Sequence, residues 1–211
     1  MKLYHFPPSP NSRVVIALAY HLGISLELET VNLFKGQQMH SEFVKLNPNH
    51  MIPTLIDGDF VLWESTAIMQ YLAATHPGNT LWPIDVRVQA DINRWMSWRL
   101  AHWGAACGIF IFERLVKPNI GLGDADSAEI AKGEERFHRF AKVLNDHLRG
   151  RLWLVNDYLT LADFSVGGPL DLRDVAGYPL GSYREITRWY TQLEALPAWQ
   201  RSAPKNLRQG M

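Results

Sequence analysis

Strand and helix patterns alternate over the first 75 residues of the chain, whereas only helical patterns follow from residue 85 onward. Short alternating runs predict strands, and apolar residues that recur every three or four positions predict helices. These patterns predict the order β-α-β-α-β-β-α over residues 2–6, 11–22, 26–29, 43–46, 54–56, 60–62 and 65–74. Asp57-Gly58 between the last two strands is a strong hairpin signal. A hairpin after a βαβ unit indicates a small mixed sheet, with parallel strands first and an antiparallel pair last.

A turn-rich segment over residues 76–83 separates the two patterns and is the candidate linker. Beyond it, helices are predicted over residues 85–112, 126–148, 160–176 and 183–196. The first of these helices is expected to be interrupted near Gly104 or Gly108. We therefore expect two domains, an α/β domain over residues 1–78 and an all-helical domain over residues 85–211.

The composition limits the classes of function. The 211 residues carry 21 Lys and Arg against 21 Asp and Glu, whereas a broad nucleic-acid surface needs a basic excess. The single cysteine, Cys107, excludes an intramolecular disulfide and a CxxC redox pair. The eight histidines show no spacing typical of metal ligands, and no apolar run approaches the length of a membrane span. We expect a soluble cytoplasmic protein that binds no nucleic acid, no membrane and no metal.

A run of small polar residues precedes the first predicted helix. Ser9, Asn11 and Ser12 all lie at this helix start, where such side chains can cap unpaired backbone N–H groups. In a second interpretation, one of them stabilises a bound anion, because a helix N-terminus favours negative charge. A thiolate held there would have its pKa lowered. The residues alone leave both interpretations open and do not distinguish among the three side chains.

Two further segments also allow a structural and a functional interpretation. Ile52-Pro53 ends a loop before the hairpin, and a cis bond there would turn backbone groups toward a ligand, although only about 5% of X-Pro bonds are cis. Glu64 and Ser65 lie at the start of the next helix, where they either cap the helix or bind a zwitterion. In such a site Glu64 pairs with an ammonium, and the Ser65 hydroxyl and N–H bind a carboxylate.

The helical half contains one structural motif and one candidate pocket. Thr160 and Asp163 have the spacing of a capping box before an apolar helix, which indicates a structural role. Trp103, Cys107 and Phe110 follow one another along a predicted helix. They either line an apolar pocket or fill the core.

These motifs occur in an order that resembles cytosolic glutathione transferases over essentially the whole chain. The resemblance is carried by Ser9-Pro10-Asn11-Ser12-Arg13, Asn47-Pro48 with Ile52-Pro53, Trp63-Glu64-Ser65 and Leu159-Thr160-Leu161-Ala162-Asp163. The serine and its spacing are most similar to the theta, phi and related bacterial classes. The resemblance implies a thioredoxin-like domain that binds glutathione, followed by a helical domain that supplies the pocket for the second substrate.

The resemblance also implies roles for individual residues. Ser9 would activate the glutathione thiol, and Ile52, before a cis Pro53, would offer backbone N–H and C=O to the cysteinyl part. Glu64 and Ser65 would hold the γ-glutamyl ammonium and carboxylate. Glutathione would be the cosubstrate, a small apolar electrophile the second substrate, and the assembly a homodimer without metal.

Two positions depart from the pattern of the family. Gln38 stands where relatives have a histidine that meets the glycyl carboxylate, so we expect that contact to weaken. Met51 cannot donate a hydrogen bond, so one side-chain contact is lost; Lys35, His40 and His50 lie nearby as candidates to compensate. The alternatives to a detoxifying transferase are a non-catalytic binding or regulatory protein on the same scaffold, and a glutathione-dependent peroxidase.

Overall fold

The computed structural model describes residues 1–204. Two units emerge: residues 1–79 with the segment that begins at Pro197, and Thr80–Leu196. The helical domain expected over residues 85–211 includes residues 205–211, which lie outside the described residues.

The first unit contains the predicted alternation of strands and helices, which confirms the order β-α-β-α-β-β-α. Its elements are β1 (Lys2–His5), α1 (Pro10–Leu22), β2 (Glu27–Thr30), α2 (Ser41–Leu46), β3 (Thr54–Asp57), β4 (Phe60–Trp63) and α3 (Ser65–Ala74). Two short 3-10 turns, Leu33–Lys35 and Gln37–Met39, connect β2 to α2. Helices α1 and α3 pack against each other.

The four strands form one mixed sheet in the order β2-β1-β3-β4. Strands β1 and β2 are parallel, and the pairs β1–β3 and β3–β4 are antiparallel, as predicted. The hairpin turn lies one residue later than the Asp57-Gly58 signal indicates, because Asp57 pairs with Phe60 and leaves Gly58 and Asp59 as the turn. Gly58 has a φ of 62°, and glycine takes positive φ without steric cost at the first turn position.

The second unit is helical throughout. Its helices are α4 (Val86–Trp98), α5 (Gly104–Ile111), α6 (Lys117–Asn119), α7 (Ser127–His147), α8 (Leu161–Gly167), α9 (Arg173–Ala176) and α10 (Arg184–Glu194). A π-helical turn, Arg99–Trp103, separates α4 from α5, so the expected interruption lies directly before Gly104. A Cβ at Gly104 would lie 2.9 Å from the Arg99 carbonyl oxygen, which explains why a residue without a side chain follows this turn.

A buried carboxylate organises the start of α8. Asp163 Oδ1 accepts hydrogen bonds from Leu154 N at 3.0 Å and Trp189 Nε1 at 2.9 Å. Its Oδ2 accepts from Thr160 N at 2.9 Å and Thr160 Oγ1 at 3.1 Å. Burial raises the pKa of Asp163 to about 6, and these donors oppose that shift. The structure confirms the capping box and its structural role.

A last helix, α11 (Pro197–Arg201), packs against α1 in the first unit. The Arg13 guanidinium donates to the Trp199 carbonyl oxygen at 3.1 Å and lies 4.8 Å from the centroid of the Trp199 ring. Five residues are too few to show helical periodicity, so sequence patterns did not predict α11. No helix within residues 1–204 has both the length and the apolar character needed to cross a membrane.

Candidate functional site

The segments that contain the predicted site residues lie at one edge of the sheet. Tyr4 at the end of β1 pairs with Thr54 at the start of β3, and Thr54 pairs with Trp63 at the end of β4. The segment after β1, the segment before β3 and the segment after β4 therefore leave the sheet at this same edge, which we call the site edge. Ser9, Ile52-Pro53 and Glu64-Ser65 lie in these three segments, and the Ile52–Pro53 bond is cis.

A small apolar cluster joins two of these segments, the one after β1 and the one before β3, to the segment after β2. Phe6, Val31, Phe43 and Ile52 are buried against one another. Val31 follows β2, which runs parallel to β1, so the turns after β2 also begin at the site edge. Through this cluster the turns that carry Gln38 join the same region.

Ser9 is the N-cap of α1 and stands at the site edge with its side chain half-buried. Its Oγ accepts a hydrogen bond from Ser12 N at 3.3 Å. A hydroxyl that accepts through a lone pair keeps its hydrogen for donation, and within residues 1–204 the Ser9 O–H has no acceptor. Ser9 can therefore cap the helix and donate to a ligand at the same time, so its two interpretations are compatible.

Ser12 is placed differently from Ser9. Its side chain is 1% exposed, and its Oγ accepts from Phe6 N at 3.2 Å. This hydroxyl stabilises the connection between β1 and α1 and does not reach a ligand in solvent. Of the three polar side chains at the helix start, Ser9 and Asn11 stay as candidates.

Glu64 is held in an unusual backbone conformation. Its φ is 73°, a value that non-glycine residues rarely adopt, and its exposed carboxylate has no ion-pair partner among the described residues. Such strain is concentrated at functional sites. Ser65 follows as the first residue of α3 and is 6% exposed.

The site edge is electrostatically suited to anions. Both α1 and α3 begin there, and each helix N-terminus presents unpaired N–H groups and a partial positive charge. His5, at the end of β1, adds no positive charge near neutral pH, because burial lowers its pKa. The edge therefore combines two helix N-termini with one exposed carboxylate, as a zwitterionic ligand requires.

Family models match both halves of the chain. Residues 1–74 match the model of the glutathione S-transferase N-terminal domain, and residues 105–197 match that of the glutathione S-transferase C-terminal domain. The chain is also 30% identical over 213 residues to glutathione S-transferase D7 of Drosophila melanogaster, across 100% of this chain and 91% of that protein. The chain belongs to the glutathione S-transferase family. This membership confirms the resemblance, and with it the expectation of a glutathione transferase.

Solved structures of glutathione transferases have the same fold. Glutathione transferase F7 from Populus trichocarpa has a TM-score of 0.89 at 24% identity, over 100% of this chain and 98% of that one. Glutathione S-transferase-I, bound with the ligand lactoylglutathione, has a TM-score of 0.85 at 25% identity, over 96% and 97% of the two chains. The expected fold, a thioredoxin-like domain followed by helices, is confirmed.

Gln38, one departure from the pattern of glutathione transferases, lies in the second 3-10 turn after β2. Its Oε1 is buried and has no hydrogen-bond partner within residues 1–204. The His50 ring lies beside it, with Nδ1 3.4 Å from the Gln38 carbonyl oxygen. Met51, the other departure, is 66% exposed. Gln38 and Met51 therefore lie on the same side of the unit, because the His50 ring next to Met51 contacts the turn that carries Gln38.

The sequence indicated Asn47 only as the end of a helix and did not predict a further role for its side chain. It is 2% exposed, and its side chain bonds to the loop that carries Ile52. Asn47-Pro48 carries part of the family resemblance, but a polar residue before a proline is also common in surface loops, so the motif does not indicate what the side chain contacts.

The three candidates for the second-substrate pocket lie in the core of the second unit. Trp103, Cys107 and Phe110 are fully buried. Trp103 donates to the Val166 carbonyl oxygen at 3.1 Å, and both Trp103 and Phe110 pack against Phe137. In this structure the three side chains are packed within the core, where Phe137 of α7 covers the Trp103 and Phe110 rings. Burial also raises the pKa of the Cys107 thiol, which makes it a poor nucleophile.

Proposed function

We propose that the chain binds glutathione at the site edge and activates its thiol for attack on a small apolar electrophile. The sulfur forms a bond to an electrophilic carbon of the second substrate. In a substitution the leaving group departs with its bonding electrons. In an addition the other atom of the attacked double bond takes up a proton. No covalent intermediate with the protein is needed. The protein raises the thiolate fraction and holds the two reactants together.

Three segments that contain predicted site residues lie together at the site edge, and this arrangement is the main support for the proposal. Ser9 has a hydroxyl hydrogen available, Glu64 has an exposed carboxylate on a strained backbone, and Ser65 opens a helix. A scaffold without a ligand has no use for this combination. Family membership supports glutathione as the ligand, as does the relative bound with lactoylglutathione.

Each residue has a defined task in the proposed complex. The Ser9 O–H donates to the sulfur, which favours the thiolate and lowers its pKa. The Ile52 backbone N–H and C=O pair with the cysteinyl part, next to the cis Pro53. Glu64 and Ser65 bind the γ-glutamyl ammonium and carboxylate, and Gln38 offers an uncharged contact to the glycyl carboxylate.

The finer assignments extend the family membership. We infer a glutathione-binding domain over residues 1–78 and an all-helical domain over residues 85–211 that supplies the second-substrate pocket. The serine-type classes, theta, phi and related bacterial ones, are the nearest in motif. We also infer that the protein is a cytoplasmic homodimer. It would act in detoxification and bind no nucleic acid.

Ser9→Ala tests the proposal, with Ser12→Ala as the matched control. Ser9→Ala should lower turnover with a halonitroaromatic substrate about tenfold or more, and leave glutathione affinity nearly unchanged, because the contacts to the rest of glutathione remain. Loss of the Ser9 N-cap bond should lower stability as well. Ser12→Ala should lower stability and keep the pH–rate profile. If Ser9→Ala keeps the wild-type profile, Asn11 becomes the candidate.

The same assay separates the alternative functions. A non-catalytic binding protein would be retained on immobilised glutathione without consuming thiol. A peroxidase would consume glutathione with a hydroperoxide in preference to the halonitroaromatic. Either result would replace the conjugation reaction proposed here.

A further inference from the structure

The buried side chain of Asn47 uses its full hydrogen-bonding capacity within one loop. Its Nδ2 donates to the Met51 carbonyl oxygen at 2.8 Å and to Thr54 Oγ1 at 3.1 Å. Its Oδ1 accepts from Asn49 N and Asn49 Nδ2, both at 3.0 Å. An amide side chain offers two donor hydrogens and two lone pairs, so all four are engaged. Asn47 therefore fixes both ends of the segment before β3.

The bond to Met51 has a direct consequence for Ile52. The Met51 carbonyl and the Ile52 N–H belong to the same planar peptide unit, on which the C=O and N–H point in opposite directions. A donor that holds the carbonyl oxygen in place therefore sets the direction of the Ile52 N–H. Thr54 Oγ1 lies 3.4 Å from the same carbonyl oxygen and supports this arrangement.

The same bond also affects how strongly Ile52 donates. A hydrogen bond accepted by a carbonyl polarises the amide and strengthens the donor at its other end. Asn47 and Thr54 are both almost completely buried, so water does not compete for these bonds. The peptide is thus oriented and polarised before any ligand arrives.

We propose that Asn47 is a positioning residue that sets the direction and donor strength of the Ile52 N–H and thereby the affinity for the cysteinyl part of glutathione. This inference rests on the proposed function, in which the Ile52 backbone binds that part of the ligand. Asn47 itself does not touch glutathione. It acts through the Met51–Ile52 peptide.

The test compares Asn47→Ala with wild type in binding glutathione and a thiol-free analogue in which 2-aminobutyrate replaces cysteine. Both ligands should bind about tenfold more weakly to the variant, because they share the peptide backbone that Ile52 recognises. A purely structural role would lower the melting temperature and leave the affinity of the folded protein unchanged.

Asn49→Ala is the matched control, since it removes the Asn49 Nδ2 contact to Asn47 Oδ1, keeps the backbone N contact, and leaves both Asn47 Nδ2 donations in place. We expect less than a twofold change in affinity. Asn47→Asp keeps the size of the side chain and replaces the donor with an oxygen, so it should weaken binding at least as much as Asn47→Ala. If position 47 does not tolerate replacement, Thr54→Val should weaken binding of the analogue two- to threefold, and wild-type affinity in that variant would overturn the proposal.

The outcomes separate this inference from the proposed function. Wild-type affinity for the analogue in a folded Asn47 variant overturns the positioning role alone. Failure of the wild-type protein to bind glutathione or the analogue contradicts the proposed function and the inference together.

Discussion

At the scale of single residues, the strained backbone at Glu64 predicts a strong effect on glutathione binding. A charge-assisted contact between this carboxylate and an ammonium contributes about 1.5–3 kcal/mol. Glu64→Ala should therefore raise the KM for glutathione by about one to two decades, with a smaller effect on kcat, and steady-state kinetics at varied glutathione measures this.

Glu27 offers a matched control for Glu64. It pairs with Lys2 at 2.8 Å, at the end of the sheet opposite the site edge, and both side chains are partly exposed. Glu27→Ala should leave the KM for glutathione unchanged. A KM that stays at the wild-type value in folded Glu64→Ala would remove Glu64 from the site.

Sequence patterns predicted the residue types of the site and their order along the chain, but not the directions of the side chains. Ser9 and Ser12 are both polar residues at one helix start. Only the fold shows that the Ser12 hydroxyl is turned inward to Phe6 N whereas the Ser9 hydroxyl keeps a hydrogen to donate. Asn47 was missed for the same reason, since its role depends on contacts with residues four and seven positions later.

At the scale of elements, Glu113 links the end of one helix to the start of another. Its carboxylate accepts from Lys117 Nζ at 2.8 Å and from the backbone N of Asp126, the N-cap of α7, at 2.8 Å. The Lys117 contact first, and then the Asp126 N–H, lower the pKa of Glu113. A carboxylate with a lowered pKa stabilises the fold above its unfolded-state pKa, and this contribution is lost as pH falls through the folded-state value.

Glu113→Gln should therefore lower the melting temperature at pH 7, and the difference from wild type should shrink as the pH falls below about 4, near the ordinary pKa of Glu. Thermal unfolding at pH 7 and at acid pH measures the effect. Glu135→Gln, at an exposed position of α7, is the control and should unfold like wild type at both pH values. A difference that stays constant with pH would exclude an ionic origin.

Regular elements were predictable where periodicity extends over several turns, and the irregular ones were not. Helix α3 begins and ends as its pattern predicts, at Ser65 and Ala74. The two π-helical turns, Arg99–Trp103 and Phe112–Val116, shift the helical phase within an otherwise continuous apolar pattern. The pattern over residues 85–112 left open whether Trp103, Cys107 and Phe110 line a pocket or fill the core, and in the structure all three are fully buried.

At the scale of the whole molecule, apolar surface on the second unit predicts self-association. Large hydrophobic side chains are exposed along the stretch from α4 to the loop after α6; they are Val86, Leu100, Phe112, Ile120 and Leu122. A homodimer would bury part of this exposed apolar surface, and a neutral net charge sets up little repulsion between copies. Sedimentation equilibrium at micromolar concentration should return about twice the mass of one chain, whereas a fully active monomer would contradict the homodimer.

In the proposed complex Ser9 stabilises the thiolate of bound glutathione, and titration of the bound thiol by its ultraviolet absorbance measures this effect. The pKa of the bound thiol should lie at least about one unit below the ordinary thiol value of about 8.5, which corresponds to about 1.4 kcal/mol. Ser9→Ala should return the pKa toward the free value, and Ser12→Ala should keep the wild-type pKa. A bound thiol that titrates identically in wild type and Ser9→Ala would show that Ser9 does not stabilise the thiolate.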